Sequence, residues 1–213
     1  MCAAAGDKTR CHHAARNQVG RMCSAAGLSP ELEKPNMLPP DPHVPGNNLR
    51  RPADVYLPNW RGGAPAALDL AVASPQRQDA PLLVASRPDG AVRAYEEHKR
   101  THLNTALECE RQGVTFVPVV AEPTGGWGPS GMSALIRLAH LAAPKLGLTA
   151  GEALQQSLQQ LCTVIRRAKA KAILRREGDA WEELPRHHTA ARETLALPLD
   201  EVMDSSSARM LLR

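Results

Sequence analysis

Aromatic side chains are almost missing from this chain: 213 residues hold one Phe, two Tyr and three Trp. Ala and Leu dominate the hydrophobic 43%. That balance suits a helix-rich α/β domain better than an all-β sandwich. Long apolar runs are missing too. None approaches the ~18 residues of a membrane helix, so no membrane association is expected. The five cysteines are an odd number at irregular spacing, which argues against a secreted disulfide scaffold. The first eight residues carry no apolar signal-peptide core and are interrupted by Asp7. The expectation is an intracellular protein.

What is present is length enough for one domain with a core plus a tail, and an uneven charge. The net charge is +4, from 26 bases and 22 acids. Residues 177–213 hold eight of the acids and four of the bases, which leaves 22 bases against 14 acids in residues 1–176. A body carrying +8 favours a polyanionic partner, nucleic acid being the commonest.

Apolar periodicity predicts a helix over 9–26, with Ala14, Ala15, Val19, Met22, Cys23 and Ala26 on one side and Gly27 as its stop. A short strand is expected within 28–38, with Glu33 on one face. Pro39 to Asn48 and Ser74 to Gly90 read as loops. Strands are expected near 52–57 and 66–73, joined as a hairpin by the turn-rich Pro58 to Pro65. Ala91 to Gln112 reads as one long helix ended by Gly113, and Val114 to Val120 as a buried strand with an edge proline. Helices over 130–142 and 149–176 follow. The expected organisation is a flexible 1–8, a core over 9–145, a basic helix over 146–176 and an acidic, largely disordered tail over 177–213. The order describes a mixed sheet flanked by helices.

Two acids lie inside the apolar runs: Asp54 in Arg51-Pro52-Ala53-Asp54-Val55-Tyr56-Leu57 and Asp69 in Ala66-Ala67-Leu68-Asp69-Leu70-Ala71-Val72. A hairpin would bring both carboxylates to one place, where they repel unless a cation joins them. A hard divalent ion, Mg²⁺ or Mn²⁺, suits oxygen ligands. Glu33 is a candidate third ligand. Lys99, in Tyr95-Glu96-Glu97-His98-Lys99-Arg100, is a candidate cation for a charged transition state, and Glu96, on the same helix face, could orient it.

Taken in order, Glu33, Arg51-Pro52-Ala53-Asp54-Val55 and Leu68-Asp69-Leu70-Ala71 resemble the PD-(D/E)XK nuclease superfamily. More narrowly, with Tyr95-Glu96-Glu97-His98-Lys99 and Phe116-Val117-Pro118-Val119-Val120-Ala121-Glu122 before Gly125-Gly126, residues 8–176 are similar to the restriction-enzyme-like endonuclease region of non-LTR retrotransposon proteins of algal, dinoflagellate and marine invertebrate type. The resemblance implies an α-β-β-β-α-β restriction-endonuclease-like core and a metal-dependent DNA endonuclease that nicks target DNA. It also implies catalytic roles for Asp54, Asp69, Lys99 and Glu33, with both aspartates and Glu33 as metal ligands. Ala53 interrupts the usual Pro-Asp pair. Ala71 stands where the tripeptide lysine would be, so Lys99 takes that role. The rival expectation is a nuclease fold without activity that binds nucleic acid or protein.

Arg166, Arg167, Lys169, Lys171, Arg175 and Arg176 form a basic helical stretch without an acid, fit to meet phosphates without reading sequence. With DNA as partner, a nuclear location is expected. Trp60 and Trp127, in turns, are candidates for base stacking or for anchoring their loops. Cys11, His12, His13 and Cys23 lack the paired spacing of a zinc site, so zinc is not expected. Arg87-Pro88-Asp89-Gly90 repeats the Pro-Asp pair but reads as a turn. Glu122 is expected to cap the glycine turn.

Overall fold

A two-residue turn organises the sheet. Gly62 and Gly63 both take positive φ (56° and 87°), as the tightest hairpin turns require and as side-chain-free residues allow. They join β2 (Val55–Arg61) to β3 (Ala64–Val72) in antiparallel register. The computed structural model describes residues 5–39, 51–73, 87 and 89–183. β1 (Glu31–Leu32) pairs antiparallel with β2, and β4 (Thr115–Ala121) runs parallel to β3, giving the order β1-β2-β3-β4. Parallel neighbours need a long crossover. Here it contains α2 (Gly90–Thr101), a single 3₁₀ turn (His102–Asn104) and α3 (Thr105–Arg111). α1 (Ala5–Ala25) precedes the sheet; α4 (Pro129–Leu146) and α5 (Ala150–Glu183) follow it. The result is a four-stranded mixed sheet flanked by helices.

Alternation along the strands sorts the core into two faces. Val55, Leu57, Leu68 and Leu70 join the cluster that contains Val19 of α1, Leu135 of α4 and Ile165 of α5. Ala67 and Phe116 pack with Cys109 of α3, and Ala71 and Val120 with Val92 of α2. Asp69 falls between Ala67 and Ala71, so it shares the face that meets α2. Gly131 lets α4 cross closely over β4: a Cβ there would stand 3.2 Å from the Val119 Cα. α1 ends as Gly27 predicts. Gly27 N–H bonds Ser24 O and Leu28 N–H bonds Cys23 O, the paired bonds of a left-handed glycine cap.

Several expectations need correction. The N-terminal helix already includes residues 5–8. The expected strand over 28–38 shrinks to Glu31–Leu32, and Glu33 lies just beyond it with φ 50°. The stretch Pro58 to Pro65 is mostly strand: β2 runs on to Arg61 through an irregularity between Leu57 and Arg61, which accommodates a proline without a ladder donor. The long helix over 91–112 is broken, because Leu103 and Asn104 take left-handed conformations (φ 51° and 53°). A 3.6-residue apolar pattern survives such a break and cannot report it.

The chain divides into residues 1–172 and 173–213. The first unit contains the sheet, and its core takes in Leu161 and Ile165 of α5. In the second, residues 173–183 complete α5. The helix therefore passes Gly178, where loose chain was expected. The remaining tail, 184–213, and most of both expected loops lie outside the described residues.

Candidate active site

Asp54 sits one residue before β2 and reaches around Asp69. Its backbone N–H bonds Leu68 O (3.0 Å), and its Oδ2 accepts the Leu70 N–H (2.6 Å). The side chain thus supplies the acceptor for a β3 donor at the point where β2 has not yet begun. This clasp sets the Asp54 carboxylate beside Asp69, close enough for the Asp54 charge to help raise the Asp69 pKa. Two further elements close on the pair. From α2, Lys99 Nζ donates to Asp69 Oδ1 (2.9 Å). From α1, His12 Nε2 lies 3.0 Å from Asp54 Oδ1. The side chains retain 17% exposure at Asp54, 18% at Asp69, 25% at Lys99 and 31% at His12. The cluster is packed, yet each of its four side chains keeps some contact with solvent.

The electrostatics separate the two acids. Burial pushes the Asp69 carboxyl up; the Lys99 charge opposes this and the Asp54 charge adds to it, leaving Asp69 raised to about 6. Burial also pushes Asp54 up, but the His12 hydrogen bond and charge, the Leu70 N–H and Lys99 outweigh it, so Asp54 is held below the ordinary carboxylate range. Burial alone would lower Lys99; its pairing with Asp69 prevails and its pKa is raised. Lys99 is therefore a cation at neutral pH, not a proton acceptor.

Of the four residues expected in the site, Asp54, Asp69 and Lys99 come together. Glu33 approaches through its backbone, whose N–H bonds Asp54 O (3.0 Å). Its carboxylate is engaged elsewhere, by Arg16 and, at 3.7 Å each, by His13 and Arg51. Glu96 is buried and does not pair with Lys99. It accepts the Ser130 and Gly131 N–H groups (3.0 and 3.1 Å) and so caps α4. Beside it, Arg100 donates to Ser130 Oγ (2.6 Å). These bonds fasten α2 to α4 and set the height at which Lys99 meets β3. Glu122 closes the glycine turn through backbone bonds to Gly125 and Gly126.

His12, weighed in the sequence only as a zinc ligand and set aside, is a member of this site. A signal existed: Cys11, Ala15 and Val19 mark the buried stripe of α1, and His12 and Arg16, one turn apart, border it on the same side. Cys11 and Cys23 are buried, the Cys23 thiol being pushed up to about 12 by desolvation. Trp60 is a core residue with Arg137 over its ring (5.0 Å), and Trp127 packs against the same cluster. Asp89 lies in the turn just before α2 and forms ion pairs with Arg87 and Arg93.

On α5, Leu161, Ile165 and Ala172 face inward. Arg166, Arg167 and Lys171 are exposed, and Lys169 is half-buried with its pKa lowered by burial. In the second unit, Arg175 is exposed and Arg176 half-buried. No described helix is long and apolar enough to cross a membrane.

Among the described residues, no group of three or more His, Cys, Asp or Glu side chains is arranged to hold a metal ion. Asp54 and Asp69 offer a pair of hard oxygen donors, which fits an ion that keeps its waters and shares phosphate oxygens better than one that needs a full protein cage. The chain matches no protein-family model and no curated protein.

Proposed function

We propose that the chain is a metal-dependent DNA endonuclease domain of retroelement origin, with a restriction-endonuclease-like core. The observation that carries this reading is the convergence of Asp54, Asp69 and Lys99 from three separate elements onto one accessible point. The sheet supports it: an antiparallel β1-β2-β3 meander, a helical crossover and a parallel β4 follow the α-β-β-β-α-β order.

Asp54 and Asp69 would hold Mg²⁺ or Mn²⁺, which when bound polarises the phosphate and lowers the pKa of water. Asp69 must be ionised to serve as a ligand, so its raised pKa makes the ion compete with a proton, and metal affinity should rise as pH passes about 6. Lys99 keeps its proton on Nζ and stabilises the negative charge that builds on the phosphate oxygens. Water oxygen bonds to phosphorus as the P–O3′ bond breaks, leaving a 3′-hydroxyl able to prime reverse transcription. The exposed bases of α5, Arg166, Arg167 and Lys171, would hold the DNA backbone nearby, and the site of action would be nuclear.

Nicking of supercoiled plasmid by purified protein in Mg²⁺ or Mn²⁺ tests the reading. Asp69→Asn and Lys99→Met are expected to abolish nicking; nicking unchanged in both variants would refute it. One observation favours a second reading. Lys99 and His12 take up hydrogen-bonding positions on the two acids themselves, as an inactive nuclease fold retained for binding would keep them. Salt-sensitive DNA binding in EDTA, with no nicking in either metal, would select that reading.

A further inference from the structure

Three cationic or ionisable side chains close on a single acid beside the site. Arg16, on α1, donates to Glu33 Oε1; His13 Nε2 approaches the same oxygen at 3.7 Å; Arg51 Nη1 lies 3.7 Å from Oε2. Arg16 is the inner member, with its side chain 12% exposed and its Nε and Nη2 donating to the side-chain Oδ1 of the neighbouring Asn17. Arg51 and His13 are the outer members, at 48% and 47% exposure. One carboxylate cannot neutralise two guanidinium groups. The cluster retains a net charge of +1 with His13 neutral, and two of its members face solvent.

Its position gives that charge a use. Glu33 is fastened to Asp54 through the backbone bond of 3.0 Å, and His13 follows His12, which touches the Asp54 carboxylate. A chain of phosphates with one member at Asp54 and Asp69 would therefore present a neighbour to Arg51 and His13. Guanidinium forks match phosphate oxygens in shape and charge. We infer that Arg51 and His13, backed by the Arg16–Glu33 pair, form a subsite for a backbone phosphodiester of nucleic acid, next to the acid pair and separate from the basic face of α5. Glu33 is then the organiser of an anion site: it aligns the guanidinium groups and reduces their charge so that binding stays reversible. The inference rests on the nuclease reading for its ligand, but its test does not depend on cleavage.

The test is fluorescence anisotropy with a short labelled duplex of arbitrary sequence, in EDTA, across a salt series of about 50 to 200 mM. Three variants are compared with the wild type: Arg51→Gln, Arg51→Gln with His13→Gln, and Glu33→Gln. Both variants that lack Arg51 should bind more weakly, and the slope of log affinity against log salt should fall by about 0.9 for each phosphate no longer neutralised. Glu33→Gln removes the opposing charge and should tighten binding. A merely structural ion-pair cluster predicts the reverse: Glu33→Gln would lower the melting temperature and leave affinity unchanged or weaker. Wild-type affinity and slope in both Arg51 variants, or unchanged or weaker binding in Glu33→Gln, would overturn the inference. Plasmid nicking is scored separately. Wild-type nicking with unaltered binding in the variants would sink the subsite alone; altered binding without any nicking would sink the nuclease and keep the subsite.

Discussion

Replacing Asp69 by Asn should remove a pH dependence of stability that can be worked out from the site. Asp69 titrates near 6 in the folded chain, against an ordinary value of 3.8. At about 1.4 kcal/mol per pKa unit, the gap of some two units corresponds to at most about 3 kcal/mol. The sign follows from proton uptake. Between those two values the folded state binds the proton and the unfolded state has lost it, so stability falls as pH rises. The contribution is fully present below about 3.8 and is gone above about 6. Asp54, held below its ordinary value, acts in the opposite sense: its contribution is present above the unfolded value and is lost at lower pH. Across pH 4 to 6 the Asp69 slope should therefore dominate this site. In a unit of this size about 3 kcal/mol equals roughly 6–12 °C in Tm. The assay is urea unfolding in EDTA at a series of pH values. Asp69→Asn keeps the side-chain shape, so its profile should lack the wild-type decline. Parallel profiles for wild type and variant would refute the account. Mg²⁺ at a hundred times its dissociation constant should stabilise the wild type at pH 7.5 by about 2.7 kcal/mol and leave Asp69→Asn unchanged.

Glu96→Ala would leave the Ser130 and Gly131 N–H groups without their acceptor and should cost about 1–3 kcal/mol in urea unfolding. Plasmid nicking should fall with it even well below the melting temperature, because α2 carries Lys99. Gly131→Ala would set a methyl group 3.2 Å from the Val119 Cα; a loss of about 1–3 kcal/mol is expected, read as a lower Tm, and an unchanged Tm would show that α4 can lift off β4 freely. The Cys23 thiol, buried and raised to about 12, should resist a thiol reagent in the native state and react at once in urea.

Much of the framework was legible because it depends on local chemistry. The apolar stripe of α1 and its glycine stop, the two Asp-bearing runs and the strand over 115–121 follow from periodicities of 3.6 and 2. That Asp54 and Asp69 lie on adjoining strands was legible too, since a hairpin pairs the segments it joins; their alignment was not, because about the Gly62-Gly63 turn Asp54 would face Ala71, and the register shift between Leu57 and Arg61 brings it level with Asp69 instead. The break at Leu103 and Asn104 was not, because either side of it keeps a helical pattern. Nor was the passage of β2 through Pro58, where the loss of a donor reads as a loop but is absorbed by an irregular register.

What the order of residues determined by itself was which segments would bury their apolar sides, and that two acids would be trapped among them. Which side chains would meet those acids was decided only by tertiary structure. Lys99 reaches Asp69 because Glu96 and Arg100 pin α2 to the start of α4, and His12 reaches Asp54 because α1 packs across the opposite face. Glu33 was turned away for the same kind of reason: its carboxylate found Arg16, His13 and Arg51. Burial patterns are local and periodic, so they can be read along a chain. Charge pairing between elements depends on the height and angle at which helices dock, and that is set by contacts among residues far apart in sequence.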